Sequence, residues 1–254
     1  MKILLAQLTP SFDIDKNKER MVKIVENNHA DIYIFPELYL TGYLIRDKII
    51  EKAMDVDSPL MKEIAEISHG KIIVFGFPEK DDFIYNSAAI AYNGDIKIAR
   101  KIYLPNFGPF EEKLYFKEGD RPFVMDTKYG KLGVQICYDA FFPEVAKIQA
   151  LKGAKLIINI SASPITSRKL FETVIPARAL ENTVFFAYVN WAGLMRNIEF
   201  WGGSMIYSPL GDLVYKAPYF KESVETAEIS ENESDIARRI RPTIRDTMLH
   251  FFNL

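Results

Sequence analysis

Cysteine is nearly absent from this chain: 254 residues contain one, Cys137. A single thiol excludes an intrachain disulfide framework and suits a reducing compartment, so a cytoplasmic location is expected. Histidine is scarce as well, with three residues. His29 follows Asn27-Asn28 and His69 precedes Gly70, as residues of a helix's last turn do, and His250 falls in the C-terminal tail. With no histidine well placed, an active Cys137 needs a carboxylate or an amine to activate it. No His-Glu-x-x-His or paired Cys/His spacing exists, so no metal site is expected. The glycines form no Gly-x-Gly-x-x-Gly after the first strand and no P-loop, and Gly202-Gly203 is only a turn pair, which argues against a dinucleotide fold. Neither charge sign dominates: 32 basic against 34 acidic residues give a net charge of -2, with the basic residues scattered, and no nucleic-acid partner is expected. Long apolar runs are missing too, so no membrane span is expected. The opening Met1-Lys2-Ile-Leu-Leu-Ala6 begins like a signal peptide, but Gln7, Pro10 and Asp13 end the run early.

What remains is an ordinary globular composition, 48% hydrophobic and 26% charged, expected to form one domain over residues 1–254. Its centre is Lys131-Leu-Gly-Val-Gln-Ile-Cys137-Tyr-Asp-Ala-Phe-Phe-Pro-Glu144, which reads as a strand running into a helix with Pro143 at the first helical position. Cys137 therefore falls in the turn, where side chains leave the carboxyl edge of a sheet and face a crevice. Taken alone, a lone cysteine is more often a small buried hydrophobe.

Strands are expected at Lys2 to Leu8, Asp31 to Phe35, Lys71 to Phe77, Ala154 to Ile160, Thr183 to Asn190 and Ser223 to Ile229. Hairpins are expected around Asn93-Gly94, between Phe83 to Tyr92 and Asp95 to Tyr103, and around Gly211-Asp212. One helix presents Met21, Ile24 and Val25; a second starts at Ser58-Pro59; a third spans Ser167 to Asn182 with a kink at Pro176; a basic helix and tail follow from Asp235. Residues 191–204 read as loop. Strands alternating with helices and interrupted by hairpins predict an α/β chain with mixed sheets. Glu37 and Lys101 both emerge where a strand gives way to loop. The first is surrounded by Phe35, Leu38, Tyr39 and Leu40, too apolar for an exposed tip. The second, by its local sequence, is an ordinary surface lysine.

Three separated strand-end motifs together resemble the nitrilase superfamily of carbon-nitrogen hydrolases. Phe35-Pro-Glu37-x5-Tyr43 is similar to the family's glutamate motif, Arg100-Lys101-x-Tyr-Leu104 to its lysine motif, and Gly133-Val-x-Ile-Cys137-Tyr-Asp139-x-x-Phe142-Pro-Glu144 to its cysteine motif. Phe110-x-Glu112-x-x-Tyr-Phe116 resembles its second-glutamate segment. Ala177-Arg-Ala-x-Glu181-Asn182, Gly202-Gly203-Ser204, Pro209-x-Gly211 and Arg241-x3-Arg245-Asp246 carry the likeness almost to the C-terminus.

The resemblance implies a four-layer α-β-β-α sandwich and a Glu-Lys-Cys triad at Glu37, Lys101 and Cys137, with Glu112 orienting the substrate or Lys101. It also implies hydrolysis of a small amide to ammonia and an acid through a thioester, with no cofactor. Tyr138 would supply an oxyanion N–H, and Phe107, Phe110, Phe141, Trp191 and Trp201 are expected in or near the pocket lining. Phe141 stands where many members carry arginine or tryptophan. An N-carbamoyl amidohydrolase is the nearest alternative, with Arg168 or Arg196 holding a carboxylate. The likeness includes the glutaminase domains of NAD synthetases, but a stand-alone amidohydrolase is expected, ahead of a nitrilase. A non-catalytic scaffold predicts loss of a triad residue, and all three are present. A homodimer or larger homo-oligomer is expected from the family's habit of association.

Overall fold

The computed structural model describes residues 1–45, 48–248 and 250. The chain runs through β1 (Lys2–Gln7), α1 (Ile14–Asn27), β2 (Ile32–Ile34), α2 (Ile49–Lys52), α3 (Pro59–Glu66), β3 (Ile72–Lys80), β4 (Ile84–Tyr92) and β5 (Asp95–Arg100). It continues through β6 (Phe123–Thr127), β7 (Gly130–Ile136), α4 (Pro143–Leu151), β8 (Leu156–Ser161), α5 (Arg168–Asn182) and β9 (Phe185–Asn190). A small hairpin, β10 (Ala192–Met195) and β11 (Ile198–Trp201), precedes β12 (Met205–Tyr207), β13 (Leu213–Lys216), β14 (Ser223–Glu228) and α6 (Glu233–Ile240).

These strands build two six-stranded mixed sheets, ordered β14-β1-β2-β3-β4-β5 and β13-β12-β9-β8-β7-β6. Within the first, β1, β2 and β3 are parallel, and two antiparallel steps return β5 to the direction of β3. In the second, β7, β8 and β9 are parallel. Alternation assigns the layers. Ile3, Leu5, Ile32, Ile34 and Val74 of the first sheet pack into one core with Leu132, Val134, Ile136, Ile158 and Ile160 of the second. The alternate residues Leu4, Ala6, Tyr33, Ile73 and Phe75 pack with Met21 and Val25 of α1 and Met61 and Ile64 of α3. Phe171, Ile175 and Ala179 of α5 cover the far side of the second sheet. The result is helix, sheet, sheet, helix, as expected. Each fully buried aliphatic or aromatic side chain contributes about 1.5–3 kcal/mol to this arrangement.

Several elements differ from the sequence reading for local reasons. β5 stops at Arg100 rather than Tyr103, because the N–H groups of Ile102 and Tyr103 turn to the Asp139 carboxylate. Phe123–Thr127 is a strand that no clear alternation announces, since each of its residues except Asp126 is half-buried. Part of the expected loop over residues 191–204 is the β10–β11 hairpin, turned with Arg196 at φ 53°. Ser58 stands at the N-cap of α3 with no capping bond from its side chain, whereas Asp13 caps α1 by accepting from Lys16 N at 3.1 Å. α5 runs through Pro176 to Asn182. α6 packs against the start of β8, with Lys155 Nζ 2.6 Å from Asp235 and Arg238 donating to Ala154 O at 2.6 Å. Among the described residues no helix is long and apolar enough to cross a membrane.

Candidate active site

The topology gathers the chemistry at one edge. In the first sheet β2 and β5 run in the same direction, and in the second β7 and β8 do. The residues that follow are Glu37, Lys101, Cys137 and the Ala162-Ser163 pair.

Glu37 lies just past β2, where the chain crosses directly over Gly76 of β3. Gly76 N donates to Pro36 O at 3.1 Å and Leu40 N to Gly76 O at 3.2 Å, and Leu38 takes φ 48°. A Cβ on Gly76 would sit 2.1 Å from Leu38 N and 2.7 Å from Glu37 Cα, so only glycine fits there. The Glu37 carbonyl accepts from Trp191 Nε1 at 2.8 Å. Its carboxylate accepts from Lys101 Nζ and Asn86 Nδ2 on Oε1, and from Ala162 N on Oε2, each at 2.7 Å. Lys101, one residue past β5, is fully buried; its N–H donates to Asn86 O at 2.9 Å and its ammonium also reaches Glu112 Oε1 at 2.7 Å. Glu112 opens a 3-10 turn to Leu114 and accepts from the Tyr43 hydroxyl at 2.6 Å.

Cys137 follows β7 directly with φ 47°, a left-handed conformation that non-glycine residues rarely hold and that clusters at functional sites. A 3-10 turn, Cys137–Phe141, carries the chain into α4. The Cys137 carbonyl accepts from Asn159 Nδ2 at 3.2 Å, and the thiol lies 3.6 Å from Ser163 Oγ. Ser163 is itself held on both sides by Asn190, which accepts from its N–H at 2.8 Å and donates to its carbonyl at 3.1 Å. The thiol is nearly enclosed, with Cys137 6% exposed.

Residues 2–239 match the profile of the carbon-nitrogen hydrolase family. The chain belongs to that family. It is 35% identical over 244 residues to a nitrilase from Pyrococcus abyssi, a match covering 90% of this chain and 89% of that protein. It is 32% identical over 246 residues to a glutamine-dependent NAD(+) synthetase from Aquifex aeolicus, covering 92% of this chain but only 43% of the synthetase. The chain thus spans less than half the length of such synthetases. Among solved structures, a carbon-nitrogen hydrolase from Helicobacter pylori superposes with a TM-score of 0.87 at 25% identity, over 100% of this chain and 97% of that one. Saccharomyces cerevisiae Nit3, a member of the nitrilase superfamily, superposes at 0.85 with 27% identity, over 95% and 94% of the two chains.

In this member of the carbon-nitrogen hydrolase family two buried carboxylates share one buried ammonium. Burial alone would lower the Lys101 pKa, but Glu112 and Glu37 outweigh it and hold the amine well above its ordinary value, so it stays charged. Burial and the nearby Glu37 raise the Glu112 carboxyl, against the pull of Lys101 and Tyr43. Burial, then repulsion from Glu37, pushes the Cys137 thiol up to about 12, with Lys101 opposing. The thiol therefore rests protonated and needs a base at the moment of attack.

The expected lining residues fall into three groups. Tyr138, half-buried and next to Cys137 in sequence, meets Phe107 at 5.3 Å and Phe141 at 5.7 Å between ring centroids, and Phe107 meets Phe110 at 5.7 Å, so these four rings form one aromatic cluster. Trp191 and Trp201 are fully buried. The first reaches the site through the Glu37 carbonyl while stacking on Tyr39, and the second stacks on Tyr188. Arg196 is exposed at the β10–β11 turn and lies over the Phe12 ring, and Arg168 lies against Glu172 and Tyr219. Asn86, Asp139, Ser163 and the Ala162 N–H were not anticipated as parts of the site. A signal for the first exists: Asn86-Ser87 is a polar pair inside the buried strand β4, and a buried amide needs partners.

Proposed function

We propose that the protein hydrolyses the C–N bond of a small primary amide, with Cys137 as nucleophile, Glu37 as general base and acid, and Lys101 with the Tyr138 N–H as the oxyanion donors. The observation that carries this reading is the buried contact of Glu37 Oε1 with Lys101 Nζ at 2.7 Å beside a thiol held at φ 47°. In the first half, Glu37 accepts the thiol proton as Sγ attacks the amide carbon. The tetrahedral oxyanion collapses, the C–N bond breaks, and the proton leaves on the amine as ammonia. In the second half, Glu37 takes a proton from water, hydroxide attacks the thioester, and the proton returns to Sγ as the acid departs. General acid–base transfer of this kind contributes about 10²–10⁴-fold, and one oxyanion donor about 2.7–4 kcal/mol. Glu112, bonded to both Lys101 and Tyr43, holds the ammonium in place.

A small apolar acyl group is supported by the aromatic surface of Phe107, Phe110, Tyr138 and Phe141. The engagement of Arg168 and Arg196 elsewhere weighs against an N-carbamoyl amino acid, whose carboxylate would want a guanidinium. Glutamine is the second reading, favoured by the likeness to glutamine-dependent synthetases. The test is ammonia release from primary amides, glutamine, N-carbamoyl amino acids and nitriles by wild type and Cys137→Ala. Turnover of simple amides by the wild type alone is expected. Turnover confined to another class moves the substrate assignment, and equal turnover by Cys137→Ala removes the thiol from the mechanism.

A further inference from the structure

We propose that Asp139 is a positioning residue, whose carboxylate fixes the Cys137 turn against the Lys101 strand end. Oδ1 accepts from Ile102 N at 3.2 Å and Tyr103 N at 2.9 Å, and Oδ2 accepts from Ile136 N at 3.0 Å. Ile102 directly follows Lys101 and Ile136 directly precedes Cys137. One side chain, 1% exposed, therefore ties the backbone next to the ammonium to the backbone next to the thiol. The two segments come from different sheets, and no strand pairing joins them.

Charge and valence both suit a carboxylate. Burial raises the Asp139 carboxyl to about 7, against the three backbone N–H bonds and Lys101, so at pH 8 it is mostly ionised. In that form it has acceptor sites on both oxygens and no donor, and bonds from N–H to an ionised oxygen are about twice as strong as neutral ones. An asparagine there would keep one acceptor and turn its NH₂ toward an N–H, so Asp139→Asn preserves shape and volume while breaking one side of the clamp. A second contact runs alongside. The Tyr103 ring stacks on Phe142 at 3.4 Å between centroids and its hydroxyl donates to Glu144 at 2.9 Å. That contact joins Tyr103 to Phe142 and Glu144, whereas Asp139 holds Ile102 and Ile136, the direct neighbours of Lys101 and Cys137.

The inference rests on the proposed reaction for its kinetic consequence, but one readout needs no substrate. Around the thiol stand Glu37 and Glu112, which disfavour the thiolate, and Lys101, which favours it; Tyr43 and Tyr188 are the other titratable groups near it. The carboxylates outnumber the ammonium, so a thiol that drifts from the cluster becomes more acidic and more exposed. Asp139→Asn is expected to alkylate faster with iodoacetamide at pH 8 than wild type, with the midpoint of its pH profile moved down, and to lose about 10²-fold in kcat with KM held, as a displacement near 1 Å can cause. Asp139→Glu, which keeps the charge and moves it by one methylene, is expected to fall between. Thermal midpoints are measured in parallel. An unchanged alkylation profile in both variants overturns the proposal, as does a loss of kcat that only tracks a fallen midpoint, or failure of both variants to fold, which makes Asp139 a scaffold residue. If wild type hydrolyses no amide, the proposed function fails while the alkylation comparison still decides this inference.

Discussion

A thiol buried among carboxylates behaves differently in the folded and unfolded chain, and the sign of that difference is measurable. The unfolded cysteine titrates near about 8.5, whereas the folded one is pushed up to about 12. Folding therefore favours the protonated thiol. The stability this contributes is fully present below about pH 8.5 and is lost as pH rises toward 12, at about 1.4 kcal/mol per pH unit. Chemical denaturation of wild type and Cys137→Ala at pH 8, 9 and 10 is expected to show wild type losing ground to the variant at each step above the first. A constant difference would mean that the folded thiol is not held protonated. Glu37→Gln probes the base itself. Glutamine keeps the size of the side chain but cannot take the thiol proton, so kcat is expected to fall about 10²–10⁴-fold while the protein stays folded. Retention of wild-type kcat would assign the proton transfer to another group.

At the scale of elements, the site depends on how closely β2 and β3 approach. Gly76→Ala forces a methyl group into the Leu38 and Glu37 backbone, which cannot yield without moving the Glu37 carboxylate. Overpacking typically costs 1–3 kcal/mol, and backbone contacts place this change at the upper end, about 3 kcal/mol. Thermal unfolding of this variant is expected about 6–12 °C below wild type, with activity reduced even at temperatures where it is folded. An unaltered midpoint would show that the strands are farther apart than described. The same elements explain what could be read in advance. The parallel strands were legible because buried strands are continuous apolar runs, as in Ile72 to Phe75, and the Cys137 turn because Pro143 marks the following helix. β6 and the β10–β11 hairpin were not, since β6 is half-buried except at Asp126, and Gly193 and Arg196 look like loop residues. Lys101 alone read as a surface lysine; its complete burial depends on Glu37 and Glu112, 64 and 11 residues away in sequence. Asp139 was invisible as a link because its partners are backbone N–H groups, which carry no sequence signature.

For the molecule as a whole, two sheets packed face to face bring their carboxyl edges together, so that Glu37 and Lys101 from one and Cys137 from the other meet without any one element holding the complete site. The central claim is that this junction forms a thioester on Cys137. The direct measurement is the intact mass of the protein after rapid acid quench during turnover of a small amide, followed by peptide mapping. An acyl mass equal to the amide less ammonia, located on Cys137 and lost on further incubation, is the predicted result. Ammonia release at full rate under single-turnover conditions with no adduct at any time, or an adduct on another residue, would contradict it.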